Sequence, residues 1–143
     1  MADRVGSDHP SVTTLRGRLV RRGGTRRPAV EVPEAERESL PAEGTVRLVL
    51  DGRTRHAPVV ERSGTRALGG AYDNARRARE RVGTDRLAEW VDGASVEFGR
   101  SVLVDVVEPG ELYGLRLPGE TAVYDVTRGP ADSLRSIAED LES

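Results

Sequence analysis

Six guanidinium groups crowd into twelve residues: Arg16, Arg18, Arg21, Arg22, Arg26 and Arg27. Such a cluster is an electrostatic footprint for a phosphate backbone, and Gly23-Gly24 in its midst lets a loop approach an anion closely. The plain alternative is a solvated basic loop with no partner. No aromatic residue lies nearby in sequence to stack a base, which argues against single-strand recognition. Arg76, Arg77, Arg79 and Arg81 form a second basic run. They fall on a predicted helix whose buried face is Ala71, Ala75, Ala78 and Val82, so they read as a solvated face.

Other chemistry is thinly supplied. Cysteine is absent and only two histidines occur, His9 and His56, so thiol nucleophiles, disulfides and cysteine metal sites are excluded. His56, flanked by Arg53 and Arg55, has no carboxylate or nucleophile at a spacing that nominates a reaction, and it reads as a surface strand histidine. No His/Asp/Glu cluster has metal-ligand spacing, so neither metal nor cofactor is expected. Gly69-Gly70 before Tyr72-Asp73-Asn74 opens a helix, where Asp73 reads as the N-cap. It is not a phosphate-binding loop, since the chain contains no Lys. Trp90 is either core or a partner-facing anchor. The expectation is a non-enzymatic protein.

All 22 basic residues are Arg. G+C-rich coding, which favours Arg codons, explains this simply, while the planar guanidinium also suits phosphate recognition better than an ammonium does. The charge is uneven along the chain. Residues 1–81 carry 17 Arg against 11 Asp and Glu, a net of +6, whereas residues 82–143 carry 5 against 13, a net of -8. Such asymmetry suits either a polyanion-binding end or assembly in which one copy's basic front meets another's acidic half. The 143 residues are enough for one domain. No apolar stretch approaches a membrane span, and the first ten residues lack the apolar core of a secretory signal, so a cytoplasmic protein without a membrane partner is expected.

The elements that must carry these residues follow from pattern. Residues 1–12 read as a disordered lead-in and residues 13–143 as one domain. Strands are predicted over Thr13–Arg22, around Ala29–Val32 and over Thr45–Leu50, the last alternating Val46, Leu48 and Leu50 inward. Asp51-Gly52 signals a hairpin into a strand through Val59 and Val60. Helices are predicted near residues 72–92, the second capped by Thr84 or Asp85. The apolar run Ser101–Val107 predicts a buried strand, Pro109-Gly110 a turn, Leu112–Leu117 its hairpin partner, and Thr121–Val126 a further strand. Pro130 opens a C-terminal helix from Ala131 to Leu141. The expected class is α+β: a small β-barrel with a helical insert and a C-terminal helix.

One segment is specific enough to compare. Val30, Val32 and Pro33, then Arg37 four residues on and Leu40 three further, describe a strand ending at Pro33. One helical turn then buries Leu40 and leaves Arg37 to hydrogen-bond neighbouring carbonyls. With Gly17 and Leu19 before it and Arg26 and Arg27 in a basic loop, residues 13–60 resemble the AbrB-like, or swapped-hairpin, family of small barrel regulators. The resemblance implies a transcription-regulating DNA-binding domain, dimeric through interleaved hairpins. It places the nucleic-acid contacts at Arg18, Arg21, Arg22, Arg26 and Arg27, with Pro33, Arg37 and Leu40 as structural motif. Pro28 and a longer loop depart from that pattern. Taken whole, the chain also resembles small proteins of halophilic archaea that likewise lack Lys. High ionic strength would weaken every phosphate contact, to DNA or RNA alike.

Overall fold

Alternation along two strands sets the wall of the molecule. In β2 (Thr13–Arg21), Leu15, Gly17 and Leu19 are buried while Arg16 and Arg18 are exposed; in β4 (Thr45–Leu50), Val46, Leu48 and Leu50 are buried. These buried positions converge on one apolar core with Val30, Leu68, Val102, Val104 and Tyr113. The computed structural model describes residues 3–21, 27–62 and 64–126. The remaining strands are β1 (Asp3–Gly6), β3 (Pro28–Glu31), β5 (Arg53–Arg62), β6 (Thr65–Leu68), β7 (Ser101–Glu108), β8 (Leu112–Arg116) and β9 (Val123–Val126). Two helices, α1 (Ala75–Glu80) and α2 (Arg86–Ala94), lie between β6 and β7, and a 3-10 helix spans Glu34–Ser39.

Seven strands close a barrel in the order β2-β3-β6-β5-β4-β8-β7, and β7 returns to pair with β2. All its pairs are antiparallel except β4 with β8. The expected α+β small barrel with a helical insert is therefore what forms. Closure takes place within one chain, so no exchanged hairpin is needed to complete the sheet. Gly17 permits close approach at the barrel wall: a Cβ there would meet Val30 and Val104 methyls at 3.0 Å and the Glu31 carbonyl at 3.1 Å. The β4–β5 turn has positive φ at both Asp51 (49°) and Gly52 (78°), as the two-residue hairpin requires.

The apolar run over Ser101–Val107 is buried on both faces, for two different reasons. Val102, Val104 and Val106 enter the barrel core, whereas Asp105 and Val107 lie under a second layer. That layer is the pair β1–β9, antiparallel from Asp3↔Val126 to Gly6↔Val123. Residues 3–6, expected in a disordered lead-in, are thus a strand, and the lead-in ends in the buried Ser7 and Val12. Polar composition hid this element because only four residues pair and only their partner strand gives them a surface to cover.

What fastens the layer is a buried carboxylate. Asp105 is fully buried; its Oδ1 accepts from the Thr14 hydroxyl at 2.6 Å and from Arg116 Nη2 at 3.2 Å. Its Oδ2 accepts from Arg116 Nε at 2.8 Å and from the Tyr124 hydroxyl. A buried charge is tolerated only with such complete pairing. Burial, together with the Asp105 carboxylate, pushes the Tyr124 phenol far above its ordinary range, so it remains a donor. The Tyr124 ring lies on Gly114, where an added Cβ would clash with it.

Several helix details differ from the sequence expectation. Asn74, not Asp73, caps α1, its side chain accepting from the Arg77 N–H at 2.8 Å. Asp85 caps α2, accepting from Leu87 N–H at 3.0 Å and from Ala71 N–H at 3.1 Å. Val82 is exposed because Arg81 turns left-handed (φ 54°) and ends the helical period first. Trp90 belongs to the main core. The predicted helix Ala131–Leu141 lies outside the described residues.

Two substitutions test the fastening. Tyr124→Phe should cost about 1–3 kcal/mol by leaving a buried carboxylate short of a donor. Gly114→Ala should cost a similar about 1–3 kcal/mol by overpacking the ring, and this penalty should shrink in a Tyr124→Leu background. Denaturant unfolding reads all three; additive penalties in the double variant would refute the contact.

Candidate nucleic-acid interface

The strand alternation that fills the core also sorts the arginines. Arg16 and Arg18 occupy the outward face of β2, Arg18 opposite Glu31 on β3 and Ser101 on β7. Both are exposed, and neither has an ion pair among the described residues. Arg21 has the opposite parity, that of Leu15 and Leu19, and emerges at the strand end. Its guanidinium carbon lies 4.8 Å from the centroid of the Phe98 ring, a cation–π stack. Arg27 is exposed immediately before β3. Arg22 and Arg26, with Gly23-Gly24, lie outside the described residues.

Two residues that the sequence did not nominate join this surface. Beyond Arg18↔Ser101 the β2–β7 ladder continues into the preceding loop: Leu19 N–H donates to the Arg100 carbonyl at 2.9 Å, and Gly99 N–H to the Leu19 carbonyl at 2.6 Å. These bonds hold the loop before β7 against the end of β2, where Phe98 lies under the Arg21 guanidinium. The only signal in the sequence is the dipeptide Gly99-Arg100 before an apolar strand, a faint echo of Arg26-Arg27 before Val30. Arg16, Arg100 and Ser101 line a groove of about 500 Å³ whose apolar side is Val96, Leu117 and Pro118. On the other side of Arg16, a groove of about 300 Å³ is shared with Arg18, Glu31, Pro33 and Thr65.

The Pro33 motif braces the second groove. Pro33 (φ -59°, ψ 142°) precedes the 3-10 helix, and Leu40, 1% exposed, plugs the core behind it. The guanidinium that binds carbonyls here is that of Arg66, not Arg37: its Nη1 donates to the Arg37 carbonyl at 3.2 Å and to the Leu40 carbonyl at 2.8 Å. Arg66 lies on β6, which pairs with β3, and is therefore held beside the helix. Arg37 itself is half-buried.

Elsewhere several arginines are committed internally, while Arg53, Arg62, Arg79 and Arg81 are exposed without an ion pair among the described residues. Asp73 joins Arg55 (2.7 Å) to Arg86 (2.9 Å), and the Arg86 hydrogen bond holds its carboxyl below the usual range. Arg47 meets Glu108 at 3.3 Å, and Arg76 meets Glu80 at 3.0 Å. Among the described residues no group of three His, Cys, Asp or Glu converges to hold a metal, and no helix is long and apolar enough to cross a membrane. His56 is half-buried on β5 opposite Arg47, with backbone hydrogen bonds to Tyr72 in both directions at 2.8 Å. Burial first, and then the Arg47 charge, push its imidazole below the ordinary value.

The two classes of arginine should separate in stability measurements. Arg16→Gln and Arg18→Gln are expected within about 0.5 kcal/mol of the parent, whereas Arg116→Gln, which strips Asp105 of its cation, should cost about 3 kcal/mol or more. For His56, folding favours the neutral ring. Its contribution is fully present above the unfolded value near pH ~6.5 and is lost as pH falls below it. His56→Gln should therefore flatten the fall in melting temperature between about pH 7 and about pH 5; an unchanged profile would place the titrating group elsewhere.

No curated protein and no solved structure matches the chain. Residues 1–141 match a family described as a family of unknown function (DUF7112). The match spans nearly the whole sequence, barrel and helical insert together, and the chain belongs to that family.

Proposed function

We propose that this protein is a non-enzymatic nucleic-acid-binding protein that seats phosphates on the outward face of β2 and the loop beside it. The observation that carries this reading is where unpaired arginines meet concave surface. Arg16, Arg18 and Arg100, exposed and without an ion pair among the described residues, line the two grooves beside β2. Arg53, Arg62, Arg79 and Arg81 are also exposed and unpaired among those residues, while Arg55, Arg66, Arg86 and Arg116 are bound to the molecule's own carboxylates or carbonyls. Unneutralised guanidiniums beside concave grooves are what phosphate recognition requires, because each contact gains by releasing condensed counterions. The likeness of residues 13–60 to AbrB-like regulators supports the same strand and the same use, and transcriptional regulation is the role it suggests. Because the barrel closes within one chain, this reading works for a monomer as well as for a homodimer.

The competing idea, assembly through opposite charges on the two halves, has less to work with. Part of the asymmetry is spent inside the fold, in Arg47–Glu108 and Arg4–Asp125 pairs that join the halves. Fluorescence anisotropy with labelled DNA and RNA over a salt series tests the proposal. Affinity should fall as roughly one power of salt per phosphate contact, and each of Arg16→Gln, Arg18→Gln and Arg100→Gln should lower that slope by about 1. Absence of binding at the lowest salt, or a slope untouched in the triple variant, would overturn it.

A further inference from the structure

We propose that the nucleic acid taken by this surface is single-stranded, and that one unpaired base stacks on the Arg21 guanidinium where Phe98 supports it. The proposal rests on the phosphate reading above and adds what it leaves open. Arg21 is exposed, whereas Phe98 is half-buried and packed against the main core. The ring is therefore held in place, and the Arg21 guanidinium carbon lies over it, 4.8 Å from its centroid. The base would stack on the side of the guanidinium away from the ring. A planar cation of this kind accepts a base by stacking, whatever the base.

The strand geometry explains why the ligand is one strand rather than two. Arg16 and Arg18, on one face of β2, stand about 7 Å apart along it, a two-residue step. Arg21 belongs to the opposite face and sits at the rim. A duplex is a stiff rod whose bases are already stacked within it. Laid on the barrel wall, it reaches Arg16 and Arg18 but offers nothing to the rim. A single strand bends, so its phosphates can follow Arg16, Arg18 and Arg100 while the next base turns over the rim onto Arg21. The absence of a nearby aromatic in the sequence argued against this mode. Phe98 supplies one from 77 residues away, where the loop before β7 meets the end of β2.

The test compares three probes of equal length at low salt: a mixed-sequence single strand, the same backbone made abasic, and the duplex. The base-bearing single strand should bind about ten-fold more tightly than the abasic one, within the range for one stacked base. It should also bind more tightly than the duplex. Arg21→Lys, which keeps the charge and removes the plane, and Phe98→Leu, which keeps the core contact, should each erase the preference over the abasic probe. Abasic affinity should be unchanged in both variants. Equal binding of abasic and base-bearing strands, or tighter binding of the duplex, overturns the stacking proposal and leaves the phosphate reading intact. Failure of all three probes to bind overturns both.

Discussion

The antiparallel register of β2 against β7 is the constraint on which the rest depends. It closes the barrel and sets Thr14 beside Asp105, and just beyond Arg18↔Ser101 two further backbone bonds hold the loop carrying Phe98 and Arg100 against the end of the basic strand. A slip of one residue would exchange the two faces of β2, sending Arg16 and Arg18 into an apolar core and Leu15 and Leu19 into water. Burial of Leu15, Leu19, Val102 and Val104 opposes that slip, at roughly 1.5–3 kcal/mol for each large apolar side chain. The Asp105 network opposes it from outside the barrel, because its carboxylate has partners only in this register.

The fold and the surface share their parts in consequence. Gly17 makes room inside the barrel for the Val30 and Val104 methyls of the two strands that flank β2, while on the outward face Arg16 borders a groove on each side. Gly114 does the equivalent on β8, where the missing side chain makes room for Tyr124 and so for the β1–β9 layer. Arginine serves in both settings. Its fork satisfies both oxygens of Asp105 from Arg116 and two carbonyls from Arg66, and the same planarity suits Arg21 to a ring.

Local pattern made most of the scaffold legible. Strand alternation located β2 and β4, Asp51-Gly52 located the hairpin partner of β4, and the Pro33-to-Leu40 spacing located the turn that seals the core. Long-range pairing was not legible. Phe98 and Arg100 look like loop residues until the register joins them to β2. Asp105 passes unnoticed within an apolar run, because the residue that makes it tolerable, Arg116, is recognisable only once β7 and β8 pair. Arg37 was assigned a role that Arg66 performs, since the sequence places both near the motif only after β3 and β6 come together. Asp73 lost the cap to its neighbour Asn74 because two arginines distant in sequence compete for its carboxylate.

Salt links the charge on this surface to its stacking pair. Under the proposed phosphate reading, contacts through Arg16, Arg18 and Arg100 would each lose about one power of salt, so a face built from a few guanidiniums would weaken steeply as ionic strength rises. A base lying on a guanidinium that is itself supported by an aromatic ring gains from dispersion and the exclusion of water, which salt does not screen in the same way. Arg21 is thus the one cation of the surface whose contribution does not rest wholly on charge. If the proposed binding holds, the Arg21–Phe98 pair at the rim would set how much affinity survives concentrated salt, and the exposed arginines of the wall would set how fast a strand arrives and where its backbone runs.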